Sequence, residues 1–275
     1  MFDYHSVPMS AVPPLDSRRV AFAGLRAALS AEQRSTAPEA FTLAEESIVR
    51  SGLGDLDVVL GGGFPRSAIV TLEGATGSGR SAVAARLLAT ATANGGLGAL
   101  IETPAGSEGA FYPPALAAAG VDLDRLLIVH ANDAMAVARA ADIVLRSAAF
   151  GVVVIPMITL RATAWTRLGS LTHHANAVLI VLGEAASDEL RYFASLRVRV
   201  RAASVHFAGS QGLFCTLAGI GSEATVLKHK RAVPGKHARF VCTTFEAGAP
   251  LGSVRERASI AVVHESGHTE RQLAL

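Results

Sequence analysis

Apolar residues in the first two thirds of the chain alternate between short continuous runs and segments with helical spacing. Continuous runs of this length are typical of strands that are buried on both faces of a sheet. Segments such as 81–95 and 133–150 have the spacing of helices, and Gly95 and Asp133 stand where a helix end and a helix start are expected. The predicted strands are 67–74, 97–103, 125–130, 150–156 and 176–184. Helices between such strands predict a mostly parallel sheet with helices on both sides.

The pattern changes after Leu190, where strand-like runs follow one another with little helix between them. The predicted strands there are 197–209, 213–219, 224–231 and 238–248. Successive strands without a crossover helix form antiparallel hairpins. We therefore predict an α/β fold with a mostly parallel sheet, flanking helices and antiparallel strands at its C-terminal side.

Composition adds limits on class and organisation. Hydrophobic residues make up 50% of the 275 residues, yet charges, Gly and Pro interrupt every apolar run before it reaches the roughly 18 residues of a membrane helix. The N-terminus shows no export signal, so we expect a cytoplasmic protein. The net charge of +2 is too small to indicate a nucleic-acid partner by itself. Residues 1–45 are predicted to be an arm with a short helix, 46–248 the core and 249–275 a tail.

One stretch has the spacing of a phosphate-binding loop, G-x-x-x-x-G followed by a basic residue and Ser or Thr. It lies between a predicted strand and a predicted helix, as that motif requires. The basic residue is arginine where the motif has lysine, and a planar guanidinium is not an equivalent replacement for an ammonium in a narrow loop. ATP binding is therefore open, and no cofactor is assigned. The residues of this loop are Gly74, Gly77, Gly79, Arg80 and Ser81.

Several stretches in the same order resemble the RecA recombinase family over residues 20–248. They are SGLGDLDVVLGGGFPRSAIVTLEG before the glycine loop, AAAGVDLDRLLIVH in the middle, and ELRYFASLRVRVR and KHKRAVPGKHARF near the end. The resemblance implies a RecA-type P-loop core. It also implies ATP bound between neighbouring subunits, polymerisation on single-stranded DNA and a role in recombination and the damage response.

The resemblance also locates the chemistry of ATP hydrolysis. It places the catalytic glutamate of the family on Pro104 and the metal-associated aspartate on Pro156, and neither proline offers an acid. Loss of a general base alone costs about 100- to 10,000-fold in rate. Together with Arg80, three positions of one reaction centre differ, so we expect no ATPase activity. Glu184 stands where the family has a phosphate-sensing glutamine, and its carboxylate would repel a phosphate.

Glu102 is an acid that could rescue catalysis. It lies two residues before Pro104 and would point to the same side of a continuing strand. The alternative is an ordinary acid at a strand end, because the matching position of the family is itself usually acidic. A slow DNA-binding, recombinase-like ATPase that uses Arg80 and Glu102 is therefore a second hypothesis.

The two connections that hold DNA in RecA are short in this chain. Residues 156–176 are mostly helix-like, and 184–190 read EAASDEL, which is too acidic to hold a phosphate backbone. We expect DNA contact to be weak or indirect. The alternating cations of RVRVR are either a weak basic surface or the solvated face of a half-buried strand; they are Arg197, Arg199 and Arg201.

Two short motifs suggest contacts with other subunits. Phe41 and Ala44 have the F-x-x-A spacing with which RecA-type proteins add a strand to a neighbour. Lys228 and Lys230 match the lysine pair with which a RecA subunit reaches the nucleotide of its neighbour. The alternative for the lysines is a pair of exposed side chains at a strand end.

A metal site is not expected. His264 to His268 read HESGH, which fits the H-E-x-x-H pattern of zinc proteases, but the stretch follows a strand-like run and contains Gly267. We interpret it as a polar turn of the tail, and the pair His173 and His174 as a polar helix end. The two cysteines, Cys215 and Cys242, are expected to pack in the core.

The chain combines RecA likeness with changed catalytic positions and short loops. In this combination it resembles the ImuA group, the RecA-like members of bacterial translesion mutasomes. This resemblance implies RecA, an ImuB-type Y-family-like protein and a DNA polymerase as partners, in the SOS response and translesion synthesis. An assembly regulator in the manner of KaiC relatives is a further alternative.

Overall fold

The computed structural model describes residues 47–93, 95–103, 111–208 and 216–243. The short helix predicted in the arm of residues 1–45, the motif at Phe41 and Ala44, and the predicted tail of residues 249–275 lie outside these residues. None of the described helices is long and apolar enough to cross a membrane.

The strands of the described residues are β1 (Ile48–Val49), β2 (Phe64–Pro65), β3 (Ala68–Glu73), β4 (Leu97–Glu102), β5 (Leu126–His130), β6 (Phe150–Pro156), β7 (Val178–Gly183), β8 (Leu196–Ala208), β9 (Thr216–His229) and β10 (His237–Thr243). Eight of them form one mixed sheet in the order β10-β9-β8-β3-β7-β6-β4-β5, and β1 and β2 form a separate antiparallel pair. Strands β3 to β7 run parallel to their neighbours, β8 is parallel to β3, and β9 is antiparallel to both β8 and β10. The predicted parallel core with C-terminal antiparallel strands is confirmed.

Six α-helices lie in the described residues, together with a 3-10 turn at Leu123–Arg125. Asp133 caps the fourth helix by accepting a hydrogen bond from the Ala136 N–H at 2.8 Å, as its position before the apolar pattern indicated. The helices are α1 (Gly54–Val59), α2 (Arg80–Ala93), α3 (Pro113–Ala118), α4 (Ala134–Arg146), α5 (Ala162–His174) and α6 (Asp188–Phe193).

The helices cover the sheet on both faces, as the continuous apolar strands predicted. Leu56 of α1 and Leu87 of α2 belong to the apolar cluster on one face, and Val137 of α4 and Trp165 of α5 to the cluster on the other. All four side chains are fully buried. Alternate residues of each central strand contribute to the two clusters, so the strands are buried on both sides.

One expectation about the strands was wrong. Residues 213–219 and 224–231 were predicted to be separate strands, but Thr216–His229 is one strand that pairs with β8 along its length. The intervening glycines do not form a turn. Gly221 lies opposite Ser204, and a Cβ there would overlap the Ser204 hydroxyl, so glycine permits close approach of the two strands.

Candidate functional site

The glycine loop joins the end of β3 to the start of α2, which is the strand–loop–helix arrangement that the motif required. Within it, the Ser78 N–H donates to the Ala75 carbonyl at 3.1 Å and closes a turn. The Arg80 side chain is buried at 2% exposure in the first turn of α2, and Ser81 beside it is half-buried. The arginine of the motif therefore offers no exposed positive charge to a ligand at the loop.

Two loop glycines are required by contact with the β8–β9 hairpin. A Cβ at Gly74 would overlap the carbonyl oxygen of Val200, and a Cβ at Gly79 would overlap the hydroxyl of Ser222. That hydroxyl donates to the Ser78 carbonyl at 3.0 Å, so β9 is hydrogen-bonded to the loop. Packing against the hairpin is thus sufficient to explain why these two positions are glycine.

Pro156 ends β6 at the carboxyl edge of the sheet, where the resemblance implies a metal-associated acid. The proline is buried, and the next residue, Met157, donates its N–H to the Leu182 carbonyl at 2.7 Å. The Met157 side chain lies against Gly183 at the end of β7, where a Cβ would overlap it. An apolar side chain therefore covers the edge between β6 and β7.

Glu102 ends β4 at the same edge and is 5% exposed. One carboxylate oxygen accepts a hydrogen bond from the Phe111 N–H at 2.6 Å, and the other lies 3.3 Å from His130 Nδ1. The carboxylate thus joins β4 to the start of the segment before α3 and to the end of β5. This agrees with the interpretation of Glu102 as a strand-end acid with structural partners. Its neighbour Pro104 lies outside the described residues.

Glu73 and Arg197 form a buried charged pair that the sequence analysis did not identify. Glu73 is fully buried at the end of β3, and the Arg197 guanidinium donates to both of its oxygens at 2.8 and 3.1 Å. The Thr71 hydroxyl donates to the same carboxylate at 2.9 Å. Burial alone would raise the pKa of Glu73, but the hydrogen bonds from Arg197 and Thr71 outweigh it, so this pKa is lowered. The sequence signal was a glutamate at the end of an otherwise apolar strand.

The alternating arginines of β8 have separate environments. Val198 and Val200 between them are buried, whereas Arg199 is exposed and Arg201 donates to Glu223 at 2.8 Å. The pattern is therefore the solvated face of a half-buried strand, with Arg197 committed to its buried partner.

The two lysines at the end of β9 also differ. Lys228 Nζ donates to the carbonyl oxygens of Arg191 and Tyr192 at 2.7 and 3.0 Å, so it caps the last turn of α6. Partial burial, together with the nearby charges of Lys230 and Arg197, lowers the pKa of Lys228. Lys230 is exposed. Only Lys230 of this pair extends freely into solvent.

The remaining predicted polar positions lie at the surface. Glu184 is exposed after β7, and His173 and His174 are exposed in the last turn of α5, which is the expected polar helix end. Across the described ranges, no group of three or more His, Cys, Asp or Glu side chains could hold a metal ion. Cys242 is half-buried on β10, and burial raises the pKa of its thiol, while Cys215 and the stretch from His264 to His268 lie outside the described residues.

These residues do not fit a magnesium-dependent ATP site. Such a site needs an acid that positions the metal water and a base that activates the attacking water. Pro156 and Met157 occupy the first place, and the buried Glu102 carboxylate is engaged by Phe111 and His130. The chemistry that remains available is anion contact by the N–H groups of the glycine loop.

Comparison with known proteins also finds similarity to RecA. The RecA N-terminal domain family matches residues 40–165. Protein RecA of Picosynechococcus sp. is 27% identical over 229 residues, covering 70% of this chain and 64% of the relative. Protein RecA of Nostoc punctiforme is 36% identical over 110 residues, covering 40% of this chain and 30% of the relative. The chain thus spans less than two thirds of the length of these relatives.

A solved structure extends the likeness to the fold. The crystal structure of the RadB recombinase matches with a TM-score of 0.57 and 18% identity, covering 72% of this chain and 97% of that one. The order of strands, the position of the glycine loop and the sequence matches lead to one assignment. This chain is RecA-like: its sequence is similar to the RecA N-terminal domain over residues 40–165 and to RecA proteins, and its fold is similar to that of the RadB recombinase.

Proposed function

We propose that this chain is a RecA-like protein that does not hydrolyse ATP and that acts by protein–protein contact in the DNA damage response. In this proposal it binds RecA and changes the growth of the RecA filament during translesion synthesis. The observation that carries it is the engagement of Glu102. Glu102, the acid that ends β4 at this edge of the sheet, is held by the Phe111 N–H and lies 3.3 Å from His130 Nδ1.

The change at Arg80 points in the same direction. A guanidinium buried at the start of α2 is not available to reach from the loop into solvent, and it is bulkier than the ammonium that the motif requires. Pro104, although outside the described residues, removes a further acid from the sequence. Binding of ATP without hydrolysis remains compatible with the proposal, because the loop N–H groups alone can contact a phosphate.

Short connections argue for contact with protein rather than with DNA. The path from β6 to β7 is occupied by α5, and the path from β7 to β8 by the six-residue α6. Ser187 caps α6 by accepting from the Leu190 N–H at 3.3 Å, so this connection is an ordered turn and helix. In the proposal, DNA contact is therefore weak or indirect.

The proposed contacts with RecA use the two motifs noted in the sequence. The arm with Phe41 and Ala44 adds to a RecA subunit, and exposed Lys230 reaches toward the nucleotide that the RecA subunit holds. Lys228 supports this surface by capping α6. The next RecA subunit to join the filament would contact a chain that does not hydrolyse ATP. This contact would stop or reshape filament growth.

The partners follow from the similarity to the ImuA group. An ImuB-type Y-family-like protein and a DNA polymerase complete the proposed assembly beside RecA. Pull-down of the tagged chain from DNA-damaged cells tests this set directly. Recovery of a different assembly without RecA would favour the alternative of an assembly regulator in the manner of KaiC relatives.

The test of RecA contact measures RecA filament length and RecA ATPase rate on single-stranded DNA with excess purified chain. Shorter filaments and a changed rate are expected, and Phe41→Ala or Lys230→Glu should reduce both effects. Arg161→Glu makes a charge change at an exposed site before α5 and serves as the control. Unchanged filaments and an unchanged rate with the parent chain would refute the proposal.

A further inference from the structure

The turn between β9 and β10, residues 230–236, bears three exposed cations, which are Lys230, Arg231 and Lys236. Within the ranges that the structure describes, none of the three lies within ion-pair distance of an Asp or Glu side chain. Arg201 on the neighbouring strand, by contrast, is paired with Glu223 at 2.8 Å. We refer to residues 230–236 as the cationic turn. Its positive charge has no acid partner in this part of the chain.

Backbone hydrogen bonds hold the cationic turn at both ends. The Lys230 N–H donates to the Ser195 carbonyl at 2.9 Å. At the other end, the Val226 N–H donates to the Lys236 carbonyl at 2.9 Å and the Gly235 N–H donates to the Val226 carbonyl at 2.8 Å. The cations are therefore presented from an ordered turn with a fixed backbone.

The two ends of the cationic turn also act on one buried side chain. His229 is 8% exposed, and its Nδ1 accepts a hydrogen bond from the Arg231 N–H at 3.1 Å. Burial lowers the pKa of His229, and the charges of Arg231 and Lys236 lower it further. Because both cations act on the same imidazole, they lie close together. A ligand with negative charge would relieve their mutual repulsion.

Two large side chains with apolar surface border these cations. Val233, in the cationic turn, is 73% exposed, and Tyr192, at the end of α6, is 76% exposed. Lys228 donates to the Tyr192 carbonyl at 3.0 Å, so the end of α6 lies against the start of the turn. The Tyr192 ring meets the Phe193 ring edge-on, with ring centroids 5.2 Å apart. Exposed aromatic and arginine side chains are the residues that most often anchor a protein partner.

We propose that the cationic turn and Tyr192 form a docking site for an acidic segment of a partner protein, one that has large apolar side chains among its carboxylates. Charge complementarity identifies the partner as acidic. The apolar residues decide between protein and nucleic acid. A phosphate backbone would leave Val233 without a contact, and Tyr192 alone offers a single stacking surface where single-strand binders use several. A segment with both carboxylates and apolar side chains contacts every part of the site.

This site is separate from the glycine loop. Strand β9 ends opposite Leu196, the first residue of β8, whereas the loop follows Glu73, the last residue of β3. Since β3 and β8 are parallel, the cationic turn and the glycine loop lie at opposite edges of the sheet. Docking of an acidic segment does not depend on the proposed function, because neither RecA nor a nucleotide takes part in it.

Fluorescence anisotropy of a labelled peptide mixed with the purified chain tests the proposal. The probe is a short synthetic peptide of glutamates interspersed with leucines. Two comparison probes are the same peptide with serine for leucine and an oligo(dT) of equal charge. We expect the glutamate–leucine peptide to bind most tightly. Its affinity should fall as salt is added, because exposed charges are screened.

Variants assign the binding to the site. Arg231→Glu and Lys236→Glu should each weaken binding of the glutamate–leucine peptide, and together by on the order of 10-fold. Tyr192→Ala should weaken it about fivefold, as expected for an aromatic anchor. Arg161→Glu and Ile143→Ala make matching changes at exposed positions before α5 and on α4, and these controls should leave the affinity unchanged.

Several results would overturn the proposal. Absence of binding by the glutamate–leucine peptide at low salt means that the turn is no docking site for an acidic segment. Equal losses in the site variants and the controls mean that binding occurs elsewhere. Equal affinity for the serine peptide means that apolar side chains take no part, and tighter binding of oligo(dT) identifies nucleic acid as the ligand.

Discussion

The buried carboxylate of Glu73 and the guanidinium of Arg197 join β3 to β8 through two hydrogen bonds of 2.8 and 3.1 Å. The pair lies directly beneath the glycine loop, since Glu73 immediately precedes Gly74. The Ala186 N–H also approaches the carboxylate at 3.4 Å. The short connection after β7 is thus tied to the same pair, which stabilises the loop as a joint between strand and helix.

Replacement of Glu73 by glutamine should destabilise the fold. The substitution leaves the Arg197 charge, which is 13% exposed, without its carboxylate, and removal of one partner of a buried pair costs about 3–5 kcal/mol. Urea unfolding followed by circular dichroism measures the change. Asp188→Asn removes a carboxylate that is 93% exposed and pairs with Arg191, and it should change stability by less than about 1 kcal/mol. Equal effects of the two variants would show that the buried pair has no special role.

The same pair predicts a dependence of stability on pH. The pKa of Glu73 is lowered in the folded state, so its contribution is complete above the pKa of an unfolded glutamate, about 4.3. That contribution is lost as the pH falls through the lower folded pKa. The stability difference between the parent chain and Glu73→Gln should therefore shrink between about pH 5 and about pH 3 in urea titrations. A difference that stays constant over this range would contradict the assignment.

Asp57 should be required for the stability of the segment that precedes the sheet. One carboxylate oxygen accepts from the N–H and hydroxyl of Ser51 at 3.0 and 2.7 Å, and the other accepts from the Gly52 N–H at 3.0 Å. In Asp57→Asn one of these acceptors becomes a donor, which should cost about 1–3 kcal/mol in thermal or urea unfolding. Asp55→Asn, on the exposed side of the same helix, is the matched control.

Ala148 occupies a backbone conformation that suits glycine. Its φ is +53°, it is exposed, and its N–H donates to the Leu145 carbonyl at 3.1 Å after α4. Since the left-handed region costs an L-residue roughly 1–2 kcal/mol, Ala148→Gly should raise the free energy of unfolding by about 0.5–1 kcal/mol. Ala149→Gly, at the next exposed residue, should give no gain. Stabilisation by both or by neither would show that the conformation at residue 148 is not strained.

The sequence predicted the parallel core well because its strands are continuous apolar runs and its helices begin and end at recognisable residues. Gly95, with φ +77°, and Asp133 mark such boundaries. It failed at β9, where glycines indicated a turn but serve close contact with β8. Local composition cannot distinguish these two uses of glycine.

The residues of the site were predictable from the sequence, but their contacts in the fold were not. The loop and Arg80 can be identified from the spacing of the motif, and the position of Pro156 from the resemblance to RecA. The partners of Glu73 and Glu102 cannot, because Arg197 and His130 approach them only through the order of strands in the sheet. The role of Lys228 as a cap for α6 depends on the same long-range packing.

The most direct test of the central claim is ATP hydrolysis by the purified chain with magnesium, with and without single-stranded DNA. We expect a rate equal to that of the protein-free reaction, and the same for Arg80→Lys, because a lysine does not replace the acids that are absent at Pro104 and Pro156. Magnesium-dependent turnover by the parent chain that disappears in Glu102→Gln would contradict it.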